Sequence, residues 1–196
     1  MKKKILISIS ILIIVAIAIR LVSVSVEQKK EFNYHRNFPK TIKLWSNDFN
    51  QNDTIPIKFT GLGDNVSPSL NWVNLPSDTK SLAVIVVDYD APSPAIKIAT
   101  INHWIIFNIH PDINHIDEAT PSEELIKKGM KLGINITGGI NYVGPNPPLG
   151  THNYYFRIYA LSIQSLDLDK PTKKELMEKM KGNIIAYGEL IGKYKK

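Results

Sequence analysis

A mostly β domain with flanking helices is what the 196-residue sequence predicts, and three observations predict it. Short runs of Val, Ile, Phe, Tyr and Trp recur between clusters of Gly, Pro, Asn and Asp, the pattern of strands punctuated by turns. One run, Leu-Ala-Val-Ile-Val-Val at 82–87, is apolar at every position, so it reads as a central strand covered on both faces. Helical periodicity within the domain is confined to two places, one near 121–130 and one starting at Pro171.

From the N-terminus, residues 5–19 are apolar apart from Ser8 and Ser10 and follow Lys2, Lys3 and Lys4. A lysine cluster ahead of an apolar run is the pattern of a targeting or anchoring segment, with the lysines kept on the cytoplasmic side. Counted on to Val26, the stretch reaches about 20 residues, enough to span a bilayer. Residues 1–26 are therefore expected to be a single N-terminal membrane anchor that places the domain on the exported side. A cleaved signal peptide, with small-residue sites around 16–18 and 23–25, is the rival reading and would leave the domain periplasmic or secreted. Residues 27–40 are polar and contain Pro39, which suits a linker, and 41–196 read as one domain.

Composition excludes several classes. With 43% hydrophobic and 21% charged residues the chain has the balance of a folded protein rather than a disordered one. The net charge of +6 is mostly that of residues 1–30, where six basic residues face Glu27 alone. The domain itself is nearly neutral, so nucleic acid is not an expected partner. There are no cysteines, which rules out disulfides, thiolate metal sites and a cysteine nucleophile.

The strand candidates are 55–59, 82–87, 103–109 and 154–161. At the second helical place, Thr172-Lys-Lys-Glu175 reads as a capping box. Leu176, Met177, Met180, Ile184, Tyr187 and Ile191 follow at helical spacing, which predicts one closing helix docked on the sheet.

Three segments carry possible chemistry. Asp88-Tyr-Asp90-Ala-Pro92 follows the buried strand, and two carboxylates at i and i+2 there can accept hydrogen bonds from a ligand or orient a histidine. Taken alone, the same residues are ordinary turn chemistry. Asn102-His103-Trp104 opens the next strand, where a lone histidine is equally a satisfied core group. Tyr142 to Tyr154 packs two glycines and three prolines into positions 144–150 and then delivers His152-x-Tyr154, a stiff loop whose backbone can approach a ligand closely.

Together with Asn65-Val-Ser-Pro-Ser-Leu-Asn-Trp72 and Glu175-Leu…Gly188-Glu-Leu-Ile-Gly192, these motifs stand in the order found in the phosphatidylethanolamine-binding proteins, also called Raf-kinase-inhibitor-like proteins. The chain resembles the bacterial branch of that family from about residue 42 to 194. The resemblance implies an antiparallel β-sandwich-like core, the closing helix, and a pocket for phosphate or phosphorylated headgroups. It assigns ligand contacts to Asp88, Asp90, His103, His152 and Tyr154, with Pro92, Gly144, Pro147 and Pro148 shaping the rim. Departures are Tyr89 where proline is usual, Asn153 where arginine is common, Asn183 where histidine is common, and Asn146 at a rim position usually held by a small residue. Loss of the arginine removes a cation from beside the pocket.

The expected function is non-catalytic binding of a small anion or phosphorylated headgroup, with no cofactor and no metal. Inhibition of a protein partner is the alternative, and hydrolysis is a third, weakened by the lack of a His-Glu-x-x-His or Gly-x-Ser-x-Gly pattern. A homodimer is compatible with the sequence, which does not decide it.

Overall fold

The computed structural model describes the backbone of residues 2–196, and the side chains of all of these except 2–10, 12–14 and 17. Among the described residues the elements run α1 (Lys2–Tyr34), β1 (Lys43–Trp45), β2 (Leu70–Val73), β3 (Ser81–Ser93), β4 (Ile96–Ile109), β5 (His115–Ile116), α2 (Ser122–Lys127), β6 (Lys131–Leu132), β7 (His152–Leu161), α3 (Lys173–Met180) and β8 (Ile184–Tyr194). Two antiparallel sheets result, one ordered β1-β2-β5 and the other β6-β4-β3-β7-β8.

Strand β3 is central and buried along 81–91, as its unbroken apolar run requires. Alternation divides its side chains between two cores. Leu82, Val84 and Val86 join Trp104, Ile106, Phe156, Ile158 and Leu190 in the larger core, with Leu44, Leu70 and Trp72 of the small sheet. Ala83, Ile85 and Val87 face the other way, onto a layer that includes Leu166 and, from α3, Leu176 and Met180. The large sheet is thus covered by the small sheet on one side and by helices and loops on the other.

Several expectations are corrected. Residues 55–59 are not a strand: Ile57–Phe59 is a single 3-10 turn after Pro56. The closing helix ends early. Its capping box is present, with Glu175 N–H on Thr172 Oγ1 and Thr172 N–H on Glu175 Oε2 at 2.8 Å. Gly182 then takes φ +81°, the left-handed conformation that stops helices. Ile184–Tyr194 continues as β8, paired along its length with β7. Ile184, Tyr187 and Ile191 fit a helical stripe, but Ala186, Leu190, Gly192 and Tyr194 also fit a strand face, and pairing with β7 decides for the strand.

The expected linker at 27–40 is helical as far as Tyr34 and packed against the domain. Gln28 Nε2 donates to Tyr89 O and Ala99 O at 3.0 and 2.9 Å, and Glu31 accepts from Tyr89 Oη at 2.8 Å. Phe32 meets Tyr89 and Tyr155 edge-on at 5.2 and 5.3 Å. The expected membrane anchor and the exported location drawn from it are not supported. Among the described residues no helix is long and apolar enough to cross a membrane. Here α1 bears Arg20, Ser23, Ser25, Glu27, Lys29 and Lys30 and ends by docking on the sheet; the side chains of 5–10, where most of the apolar run begins, lie outside the described residues.

Beneath α1, Arg157 on β7 is buried with Glu189 of β8, Nε to Oε2 2.7 Å, and its guanidinium stacks within 5.1–5.5 Å of the Phe32, Tyr89 and Tyr155 rings. Burial works to raise the Glu189 carboxyl, but the Arg157 charge outweighs it and holds the group below its ordinary value. Removing Arg157 takes the nearest partner from the half-buried Glu189, leaving Lys40 at 3.5 Å from its other oxygen. Arg157→Met is therefore expected to cost about 3–5 kcal/mol in urea unfolding.

His35 lies in the same cluster, and burial, aided by Arg157, lowers it to about 4 from its usual 6.5. The unfolded chain therefore binds a proton that the folded chain refuses. Stability should fall as pH drops from 6.5 towards about 4 and then level off. Denaturation series across that window are expected to show the slope, and to show it reduced in His35→Phe.

Candidate functional site

Where β3 emerges from the core, a cavity of about 460 Å³ opens between the end of β3, β4, the 143–148 loop and the start of β7. Eight of the nine residues expected at a site line it: Asp88, Pro92, His103, Gly144, Pro147, Pro148, His152 and Tyr154. Pairing positions them. Asp88 lies opposite Tyr154 on β7 and Ile101 on β4, and His152 is two residues before Tyr154 on the same strand face.

The ninth, Asp90, points elsewhere. Simple alternation would place Asp88 and Asp90 on one face. The β3–β4 register slips between Asp88–Ile101 and Ala91–Ala99, so three steps on β3 match two on β4. That extra residue turns Ala91 toward the cavity in place of Asp90. Asp90 instead bonds Lys97 Nζ at 2.6 Å and Asn153 through its N–H and Nδ2, at 2.9 and 2.7 Å. Burial opposes the charge on Asp90, yet the Lys97 and Asn153 bonds prevail and hold its carboxyl below its ordinary value. Asn153, which stands where an arginine was expected, thus serves together with Lys97 as a partner for Asp90.

A second slip brings in His103. Val86 faces Trp104 and Val87 faces Asn102, which leaves His103 as the extra residue of a bulge. Strict alternation would send His103 and Trp104 to opposite faces, whereas a bulge re-aims the extra side chain. His103 Nδ1 lies 2.6 Å from Val143 O. A carbonyl only accepts, so Nδ1 carries the hydrogen and Nε2 of the neutral ring is a lone pair. Nε2 is buried and has no partner among the described residues. Burial pushes the His103 pKa down, which keeps the ring neutral.

His152 is tied at both nitrogens, Nδ1 to Asp88 Oδ2 at 2.7 Å and Nε2 to Leu149 O at 3.1 Å. Asp88 Oδ1 also accepts from Asp90 N–H at 2.6 Å, so the carboxylate is fixed from two sides. Tyr154 lies edge-on to His103 and is stacked with His152, with centroids 5.1 and 6.5 Å away. Gly144 belongs in its place because a Cβ there would lie 2.5 Å from Phe59 O, and its N–H reaches Asn65 Oδ1 at 2.7 Å.

The apolar walls Ala91, Ile98, Ala99, Ile101, Ile136 and Val143 were not singled out in the sequence. Ile98 and Ile136 are also exposed, giving the mouth an apolar rim. Ile96-Lys-Ile-Ala-Thr-Ile101 was the available signal, a mostly apolar run that ends two residues before His103. Among the described residues no group of three or more His, Asp or Glu side chains is placed to hold a metal ion.

The family model for phosphatidylethanolamine-binding proteins matches residues 45–195, which contain the whole five-stranded sheet, the small sheet from the last residue of β1 onward, and every lining residue of the cavity. The chain belongs to the phosphatidylethanolamine-binding protein family. A UPF0098 protein of Methanothermobacter thermautotrophicus is 41% identical over 156 residues, covering 79% of this chain and 99% of the relative. A UPF0098 protein of Aquifex aeolicus is 35% identical over 158 residues, covering 79% and 89%. Among solved structures, a phosphatidylethanolamine-binding protein homologue from Chlamydia trachomatis superposes with TM-score 0.71 at 35% identity, covering 80% of this chain and 99% of that one. YbcL of E. coli superposes with TM-score 0.72 at 26% identity over 80% and 99%.

The hydrogen-bond geometry makes one spectroscopic prediction. At neutral pH, long-range proton–nitrogen spectra of the imidazoles should show His103 as the neutral Nδ1–H tautomer, with Nε2 resonating as an unprotonated nitrogen. An Nε2–H tautomer would contradict the Val143 contact.

Proposed function

We propose that the cavity binds a small phosphorylated ligand, a phosphate or a group of the phospholipid-headgroup type, without chemical turnover. The observation that carries this reading is the unpartnered Nε2 of His103 in a cavity it shares with the His152–Asp88 pair. A phosphate monoanion brings a P–OH to donate to Nε2. Transfer of the P–OH proton to His103 gives an imidazolium and a dianion with the same total number of protons. Either way, the complex contains one proton more than neutral His103 and a phosphate dianion.

The apolar rim at Ile98 and Ile136 favours a ligand whose phosphate is esterified to carbon, because those side chains lose water when covered. The family's name speaks for the same ligand class. Turnover is left out of the reading because His152 is engaged at both nitrogens and, among the described residues, no serine, threonine or cysteine lines the cavity.

Calorimetry on the full chain tests this with phosphoethanolamine and inorganic phosphate. Both should bind, phosphoethanolamine more tightly, and His103→Phe should abolish binding while the fold persists. Affinity should rise as pH falls through the phosphate titration, by up to about tenfold per pH unit. Failure of both ligands to bind at millimolar concentration would overturn the reading, as would binding that His103→Phe leaves unchanged.

A further inference from the structure

Helix α1 lies outside the stretch matched by the family model, yet one of its side chains is tied into the strands that build the cavity. Gln28 is only 9% exposed, and its Nε2 donates to Tyr89 O at 3.0 Å and to Ala99 O at 2.9 Å. Those two carbonyls belong to opposite arms of the β3–β4 hairpin. Both hydrogens of one amide group therefore clamp the hairpin from the side of α1.

The clamp sits on a register slip. Between the pairs Asp88–Ile101 and Ala91–Ala99, Tyr89 and Asp90 on β3 stand against Thr100 alone on β4. A bulge of this kind interrupts the ladder, so strand pairing alone does not secure its position. Both extra residues are instead held in a groove under α1, which they line together with Gln28 and Phe32. Tyr89 is held through its backbone by Gln28, through its hydroxyl by Glu31 at 2.8 Å and through its ring by Phe32 at 5.2 Å. Asp90 is held by Lys97 and Asn153. Ala99, whose carbonyl Gln28 also holds, is the partner of Ala91, and both line the cavity.

The consequence for the cavity is one of charge and of orientation. With the bulge moved by one residue, alternation would bring Asp90 to the wall in place of Ala91, beside Asp88. A second carboxylate there would repel an anion. The same movement would withdraw the Asp90 N–H from Asp88 Oδ1, the contact that fixes the Asp88 carboxylate against His152. We infer that Gln28 is a positioning residue for the cavity: by holding Tyr89 O and Ala99 O together it fixes the bulge that keeps Asp90 out and Ala91 in. Its effect on affinity rests on the proposed anion binding, whereas its effect on Asp88 and His152 does not.

Two readouts on the full chain test this, one without ligand and one with it. Gln28→Met keeps the length and bulk of the side chain and removes both donors. In the ligand-free protein it should shift the His152 Nδ1 resonance, which reports the 2.7 Å bond to Asp88 Oδ2 on a strand away from Gln28. By calorimetry, phosphoethanolamine should bind it about five- to tenfold more weakly than wild type. Tyr34→Ala is the control, because Tyr34 is on the same helix, packs on Phe38 at 5.4 Å and does not line the cavity. It should leave both readouts at their wild-type values. Gln28→Leu, which also lacks donors, decides if Gln28→Met does not fold. Should wild type bind neither phosphate nor phosphoethanolamine, the anion-binding reading fails by itself and the His152 resonance alone decides the role of Gln28. The inference is overturned by a His152 resonance that stays in place in Gln28→Met, by an unchanged affinity where wild type binds, or by equal effects in Tyr34→Ala.

Discussion

Strand β3 has no solvent-facing side, and much of the molecule is arranged around that fact. Each of its buried aliphatic side chains contributes on the order of 1.5–3 kcal/mol only if both faces are covered. The β1-β2-β5 sheet covers one face, and α3 with the last turns of α1 covers the other. Burial continues past the apolar run, through Asp88 and Asp90, so these carboxylates must find partners inside the protein. They find different ones: Asp88 takes His152, and Asp90 takes Lys97 and Asn153. The cavity is the space left at that polar end of an otherwise apolar strand.

Strand β7 carries the same division between its two faces. His152 and Tyr154 serve the cavity and Phe156 the core beside it, whereas Asn153, Tyr155 and Arg157 serve Asp90 and the helix-covered side. Helix α1 therefore docks on the reverse of the strands that build the site. Gln28 bonds the backbone of both arms of the β3–β4 hairpin, at Tyr89 and Ala99, next to the lining residues Asp88 and Ala91. Tyr89 has a clear role there: its ring packs on Phe32 and stands over Arg157, and its hydroxyl reaches Glu31.

Much of this was legible in advance. The double burial of 82–87, the capping box at Thr172, and the candidate residues from Asp88 to Tyr154 follow from periodicity, turn chemistry and a family resemblance that covers the domain. What could not be read depends on pairing. One extra residue near Tyr89–Asp90 and another at His103 change which side chains share a face, and nothing in the local composition marks either slip. At 184–194 the same residues satisfy a period of 3.6 and a period of 2, so only the presence of β7 as a partner selects the strand. The lysine cluster and apolar run of the N-terminal segment suggest an anchor, while its later turns belong to the domain's surface.

By itself the sequence determined the class of fold, the buried central strand, the near-neutral charge of the domain and the set of residue types available to the site, because hydropathy and turn preference act within a few neighbouring residues. Only the tertiary structure decided that Asp88 and not Asp90 faces the cavity, that His103 keeps one nitrogen unpartnered, and that Gln28 bridges the two arms of the β3–β4 hairpin. Those outcomes depend on register and on contacts between residues far apart in the chain, and a register slip of one residue reverses them without changing a single letter of the local sequence.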